Sequence, residues 1–271
     1  MSFKTIKYEV NGPLALIRLN RPDKLNAINV QMVEELNDAM DKAENDPQIS
    51  VIILGGEGKA FSAGFDLDSG DGSENNREQA LREELTRDFN LIMRFLDSPK
   101  PTIAAVHGYC LGGGFEIALA CDLTVAADEC RFGEPEVRFG SGIVALLLPW
   151  VCGSKHAREL LLTGANNITT SKAVDYGLVN RAVPREDLLE ESIQLGMKIA
   201  RNDTLAVQLT KQAINQGYTI AGMREALLQG LETDIRIETT DSDESRQFND
   251  ILKTRGTKAA MKWLDDRLKT N

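Results

Sequence analysis

The stretch TIAAVHGYCLGGGFEIALACDLTVA, residues 102–126, decides the fold class. Thr102 to Val106 follows the break Pro99-Lys100-Pro101 and reads as a strand. Gly108 to Gly114 reads as a loop, Phe115 to Ala120 as an almost wholly apolar helix, and Leu123 to Ala126 as a second strand. Strand, glycine-rich loop, helix and strand in this order make a crossover that joins parallel neighbours, so an α/β chain with a parallel sheet is expected.

The same rhythm extends towards the N-terminus. Ser50 to Leu54 before Gly55-Gly56 is another strand, this one buried on both faces, and Asn29 to Glu44 places Met32, Val33, Leu36, Met40 and Ala43 at helical spacing behind Asn29 as N-cap. Tyr8 to Asn20 alternates about Gly12-Pro13 and reads as a hairpin. The polar stretch Asp66 to Asn76 reads as a mobile loop leading into a helix from Arg77 to Leu96. Beyond Arg201 only helical patterns follow: Thr204 to Gln216, Gly222 to Thr239 and Asp243 to Arg267. The expected organisation is a β/α core over residues 1–200 and an all-helical segment over residues 201–271.

Composition narrows the function classes. With 271 residues, 42% hydrophobic and 27% charged, the chain can bury a sizeable core. A formal charge of -10 disfavours nucleic acid as the main partner, because such binding rests on phosphate neutralisation. The start MSFKTIKYEV lacks a signal core and no apolar run reaches membrane-span length, so a cytoplasmic protein without a membrane partner is expected. Cys110, Cys121, Cys130 and Cys152 show no CxxC or zinc spacing and read as reduced, buried thiols. His107 and His156 stand beside neither a nucleophile motif nor clustered carboxylates, so no metal is expected. The glycines at 112–114 lack the lysine or the wider spacing of mononucleotide and dinucleotide sites.

Three stretches carry chemistry together: Lys59 to Leu67 (KAFSAGFDL), Val106 to Glu116 (VHGYCLGGGFE) and Phe132 to Glu136 (FGEPE). Three successive glycines let backbone approach a ligand without a Cβ in the way, and amides at a helix start are donors with the positive end of a dipole behind them. A triple glycine alone also fits a tight strand-to-helix turn. Glu116 opens an apolar helix and Glu136 follows an apolar Gly-Pro turn, so both are expected buried, where carboxylates are costly unless paired or functional. A first-turn dipole partner or a structural ion pair is the alternative for each.

In this order and at these separations the stretches resemble the crotonase family, best known for its enoyl-CoA hydratases. The likeness runs from NRPDKLNAI at residue 20 through LLLTG and SKAVDYGLVNRAVP to the helical tail, nearly the whole chain. It implies a crotonase-like β/α spiral core with a C-terminal helical trimerisation segment, as a homotrimer or homohexamer. The implied reaction acts on an acyl-CoA thioester and needs no cofactor, coenzyme A being part of the substrate. By resemblance, the N–H groups of Phe65 and Gly113 hold the thioester oxygen, while Glu116 and Glu136 hold one water and move protons to and from it. The resemblance also implies substrate contacts from Ala63, Gly64, Asp66, Leu67 and Gly112, and nucleotide contacts from Lys24 and from Lys253 with Arg255.

Family isomerases commonly keep one of the two carboxylates, so having both favours hydration of a trans-2-enoyl-CoA. An enoyl-CoA isomerase, another acyl-CoA lyase of the family, or a moonlighting RNA-binding or scaffold protein are the alternatives. Val137 to Ile143 departs from the glycine-rich stretch ending in Gln-Arg that many hydratases carry, which puts the usual acyl preference in doubt. Arg138 is expected to pair with Glu134 or Glu136, to meet a polar acyl group, or to form a surface ion pair.

Overall fold

A computed structural model describes residues 3–67, 77–240 and 242–269, with the side chains of 268 and 269 excepted. The predicted polar loop therefore lies almost wholly outside the described residues. The elements follow in the order β1 (Ile6–Asn11), β2 (Leu14–Leu19), α1 (Val30–Asn45), β3 (Val51–Gly56), α2 (Arg77–Asp97) and β4 (Thr102–Val106). Next come β5 (Tyr109–Leu111), α3 (Gly113–Ala120), β6 (Leu123–Ala127), β7 (Arg131–Gly133), α4 (Leu148–Val151) and α5 (Gly153–Thr163). The chain continues through β8 (Ile168–Thr169), α6 (Thr170–Asp175), β9 (Arg181–Val183) and α7 (Leu188–Ala200). Four helices complete it: α8 (Thr204–Ile220), α9 (Met223–Thr240), α10 (Asp243–Arg255) and α11 (Thr257–Lys269).

The main sheet has the order β1-β2-β3-β4-β6-β9, antiparallel only at the hairpin β1-β2. Alternation along each strand divides its side chains between two cores. Leu14, Leu16, Val51, Ile53, Ile103, Ala105, Val125 and Ala127 face Leu188 and Leu195 of α7. Their sequence neighbours Ala15, Ile17, Ile52, Leu54, Ala104, Val106 and Ala126 face the larger core built with α1, α2 and α3. Cover on both faces is why these strands read as continuous apolar runs.

Helix α1 starts where the sequence places it, with Asn29 Oδ1 accepting the Met32 N–H at 3.0 Å. At its far end the buried Lys100 donates from Nζ to the carbonyls of Ala43 and Asp46, satisfying helix-end acceptors with a cation.

Two details differ from the expectation. Residues Tyr109 to Leu111 within the predicted glycine loop form β5, which pairs with β7 in a second sheet of order β5-β7-β8. The helix expected from Asp243 to Arg267 is two helices, because Gly256 takes φ +80 and turns the chain back. The resulting pair α10-α11 has a small core of its own, Phe248, Ala260 and Leu264. Helix α9, by contrast, sends Met223, Leu227, Leu231 and Ile235 into the larger core. No helix among the described residues is long and apolar enough to cross a membrane.

Candidate active site

The glycine-rich loops of two successive strand-loop-helix units meet side by side. Ser62 N–H donates to Tyr109 O and Leu111 N–H to Ser62 O, so the first loop is tied to β5 at Ser62, while Gly112 N–H donates to Gly133 O. On the other side Ile28 N–H donates to Gly64 O and Asp66 N–H to Ile28 O. This bridge uses the groups on either side of Phe65 and leaves the Phe65 N–H directed away from it. The Phe65 and Gly113 amides donate to no partner among the described residues. A Cβ placed on Gly64 would stand 3.4 Å from the Gly113 nitrogen, which measures how closely the loops approach. Gly113 is the first residue of α3, so its N–H belongs to the set that no intrahelical acceptor can satisfy. The ring of Phe65 lies so close over Gly113 that a Cβ there would overlap it.

Glu116 lies in the first turn of α3, 2% exposed. Its Oε2 accepts the Ala145 N–H at 3.0 Å, and the Val144 amide also donates to the carboxyl. Glu136 opens a 3-10 turn, Glu136–Phe139, entered through Pro135. Its Oε1 leans over Gly112, where φ is +49 and a Cβ would overlap that oxygen. Burial, and then the charge of Glu136, pushes the Glu116 carboxyl well above its ordinary value. Glu136 itself is pushed up to about 7, chiefly by burial. The structure thus brings Glu116, Glu136, Gly112, Gly113, Gly64 and Phe65 together.

Sequence reasoning missed three further acids. Glu134 is 1% exposed and pushed far up by burial and by Glu136 and Glu116. Asp234 of α9, also 1% exposed, accepts the Gly142 N–H at 2.9 Å and is pushed up by burial to about 7. Glu238, one turn on, accepts from Ser141 Oγ. The available signals were two carboxyls flanking Pro135 next to Phe132-Gly133, and an acid inside the stripe Leu227, Leu231, Ile235.

These buried acids make stability pH-dependent with a definite sign. In the unfolded chain Glu136 and Asp234 titrate near 4.5 and 3.8, whereas in the folded chain both hold their protons to about 7. The folded state binds more protons across that window, so stabilisation present at the acid end is lost as pH rises through it. Urea unfolding midpoints are expected to be lower at about pH 8 than at about pH 5. A higher midpoint at the alkaline condition would contradict the burial of these groups.

The Glu136 turn is fastened to the C-terminal helices. Phe139 stacks on Phe248 of α10 with centroids 5.0 Å apart, and Arg138, its side chain 8% exposed, pairs with Asp265 of α11 at 2.7 Å. Of the alternatives for Arg138, the structure therefore realises the ion pair, made with the exposed Asp265 and not with Glu134 or Glu136. In a 3-10 turn successive side chains step by about 120°, so a residue two positions after Glu136 points away from it.

The remaining candidates divide. Ala63 N–H donates to Leu25 O, which sets the turn Pro22–Lys24 against the loop with Lys24 exposed at its end. Asp66 pairs with Arg21 at 2.8 Å, and Leu67 is 39% exposed. Lys253 and Arg255 stand exposed in the last turn of α10. His107 is buried and pushed down to about 4, chiefly by burial, so it stays neutral with Nε2 3.3 Å from Gly58 O. His156 stacks on Tyr176. The four thiols are unbridged and pushed up by burial. Among the described residues no three metal-ligating side chains converge.

Comparison with known proteins meets this geometry. Residues 9–254 match the family model described as enoyl-CoA hydratase/isomerase. A short-chain-enoyl-CoA hydratase of Clostridium acetobutylicum is 34% identical over 96% of this chain and 94% of its own length. A probable enoyl-CoA hydratase of Mycobacterium bovis is 35% identical over 84% of this chain and 87% of its own. The crystal structure of an enoyl-CoA hydratase/isomerase from Xanthobacter autotrophicus Py2 superposes with a TM-score of 0.93 at 41% identity, covering 98% of this chain and 99% of that one. On the family match and these relatives, the chain is an enzyme of the enoyl-CoA hydratase/isomerase family, the crotonases, and has their fold.

Proposed function

We propose that the chain adds water reversibly across the double bond of a trans-2-enoyl-CoA. The observation that carries this reading is the pairing of the buried Glu116 with the half-buried Glu136, beside two backbone amides with no partner among the described residues. The thioester oxygen sits between the N–H groups of Phe65 and Gly113, donors that need no reorganisation as negative charge develops. Glu116, whose carboxylate is supported by the Ala145 and Val144 amides, takes a proton from water as its oxygen bonds to Cβ. The enolate-like intermediate then takes a proton at Cα from Glu136. One anion and one acid are required at neutral pH, and two neighbouring carboxyls of raised pKa share a proton in this manner.

Incubation with a panel of trans-2-enoyl-CoA thioesters tests the reading. The expected result is loss of enoyl absorbance with products heavier by one water. Absorbance that grows from a 3-enoyl thioester, with no hydrated product, would instead assign an isomerase. Since the amides supply the electrophile and the glutamates the protons, exhaustive chelation is expected to leave turnover intact. Loss of activity restored by zinc or magnesium would overturn this account.

Assembly as a trimer or hexamer belongs to the same proposal. Leu227 and Leu231 of α9 are spent in the chain's own core, whereas Leu228 is 48% exposed. Helix α8 adds Leu205, Leu209, Ile214 and Ile220, each more than half exposed. Apolar residues standing outward along one helix support a partner surface. Light scattering is expected to report three or six subunits, and a stable, active monomer would contradict it.

A further inference from the structure

Glu134 takes no part in the mechanism above, yet no acid of the site is more deeply enclosed. It follows β7 directly, its N–H donates to Ala165 O at 2.8 Å, and its residue is 1% exposed. Neither of its carboxyl oxygens has a donor to accept from among the described residues, and neither does Oε2 of Glu136. The two carboxyls nevertheless stand within hydrogen-bonding reach of one another. Two carboxylates cannot bond to each other, and two buried anions in contact without a donor would carry a prohibitive desolvation cost. A proton between them removes both problems.

We infer that Glu134 is a positioning residue held permanently as the neutral acid, whose O–H donates to Glu136 and thereby sets both the orientation and the acidity of the proton donor. The inference rests on the hydratase reading. Atoms balance simply: when Glu136 passes its proton to Cα, the Glu134 O–H remains on Glu134 and its hydrogen bond strengthens towards the new carboxylate. A donor that bonds the charged form more strongly favours that form, which makes Glu136 a better acid than burial alone would allow. The titratable groups acting on Glu134 are Glu136 from the turn and Glu116 from α3, with the Cys110 thiol of β5 nearby. Asp234 and Glu238 of α9 act on Glu136. All are acidic; of the cations nearest along the chain, Arg131 donates to the carbonyls of Glu129 and Cys130 and Arg138 pairs with Asp265, so the surroundings favour a protonated Glu134.

Glu134→Gln and Glu134→Leu test this against the wild-type protein. Glutamine keeps an N–H donor and removes the titrating proton, so Glu134→Gln is expected to retain kcat within a few-fold and to leave the pH limb that reports Glu136 in place. Leucine removes the donor, so kcat is expected to fall at least ~10-fold with little change in KM, the limb moving to higher pH. If Glu134 were an anion in the native protein, Glu134→Gln would delete a charge beside Glu136 and move the limb down by about one unit or more, which would overturn the inference. So would a Glu134→Leu variant with wild-type kcat and profile. Carbon-13 titration of the labelled glutamate carboxyls gives a readout independent of turnover. One resonance, absent in Glu134→Gln, is expected to stay protonated above neutral pH, and finding it ionised would sink the idea even if no enoyl thioester were hydrated. Should wild type hydrate nothing while that resonance is protonated, the hydratase reading alone would fall.

Discussion

Glu116→Gln and Glu136→Gln are each expected to fold normally and to lose at least ~100-fold in kcat, the usual scale for a positioned acid or base. Glutamine at 116 still offers a carbonyl oxygen to the Ala145 N–H, which wild type binds at 3.0 Å, so packing is preserved while the capacity to take a proton from water is gone. Glutamine at 136 keeps the shape that leans over Gly112 and has no proton acidic enough to give to Cα. Because both residues act on one water, the double variant is expected to be little worse than either single one. Rates would be measured beside thermal unfolding. Near-wild-type hydration by either variant would remove that residue from the mechanism.

The second large effect concerns the Gly113 amide, and the structure changes how it has to be tested. Proline at 113 deletes the N–H and alanine keeps it, but either adds a Cβ that overlaps the Phe65 ring. Since Phe65 carries the other donating amide, even Gly113→Ala is expected to disturb the site. Phe65→Ala removes the ring and keeps the backbone N–H, so the comparison belongs in that background. There Gly113→Pro is expected to hydrate on the order of 100- to 1000-fold more slowly than Gly113→Ala, the loss typical of one oxyanion donor. The start of a helix is the position that tolerates proline best, so the folded state should survive. Equal rates for the two double variants would make Gly113 a packing glycine and defeat the anion-holding role.

The strand-loop-helix rhythm was legible because burial on both faces leaves stretches such as Val51 to Leu54 and Ile103 to Val106 without polar residues, and Asn29 announces its helix as a cap. The strands of the second sheet are two or three residues long, too short to show any period. Glu116 and Glu136 stood out as acids in apolar surroundings. Asp234 met the same criterion and was hidden by distance: it reaches the site only because α9 packs on the core, some 90 residues after the Gly142 amide it accepts from. The partner of Arg138 was illegible for a related reason, since the return at Gly256 brings Asp265 to it and a continuous helix would carry that residue away.

The attachment of the Glu136 turn to α10 and α11 has a consequence for the order in which a ribosome delivers the parts. Arg138 and Asp265 are 127 residues apart. At a synthesis rate of roughly 5–20 residues per second, the anchor follows the turn by about 6–25 seconds. A nascent chain long enough to form the whole parallel sheet, and to present Glu116 and both glycine loops, would still lack the two helices that hold the Glu136 turn. The settled position of the Glu136 turn is therefore a property of the late chain, reached after the core that surrounds the site has been translated.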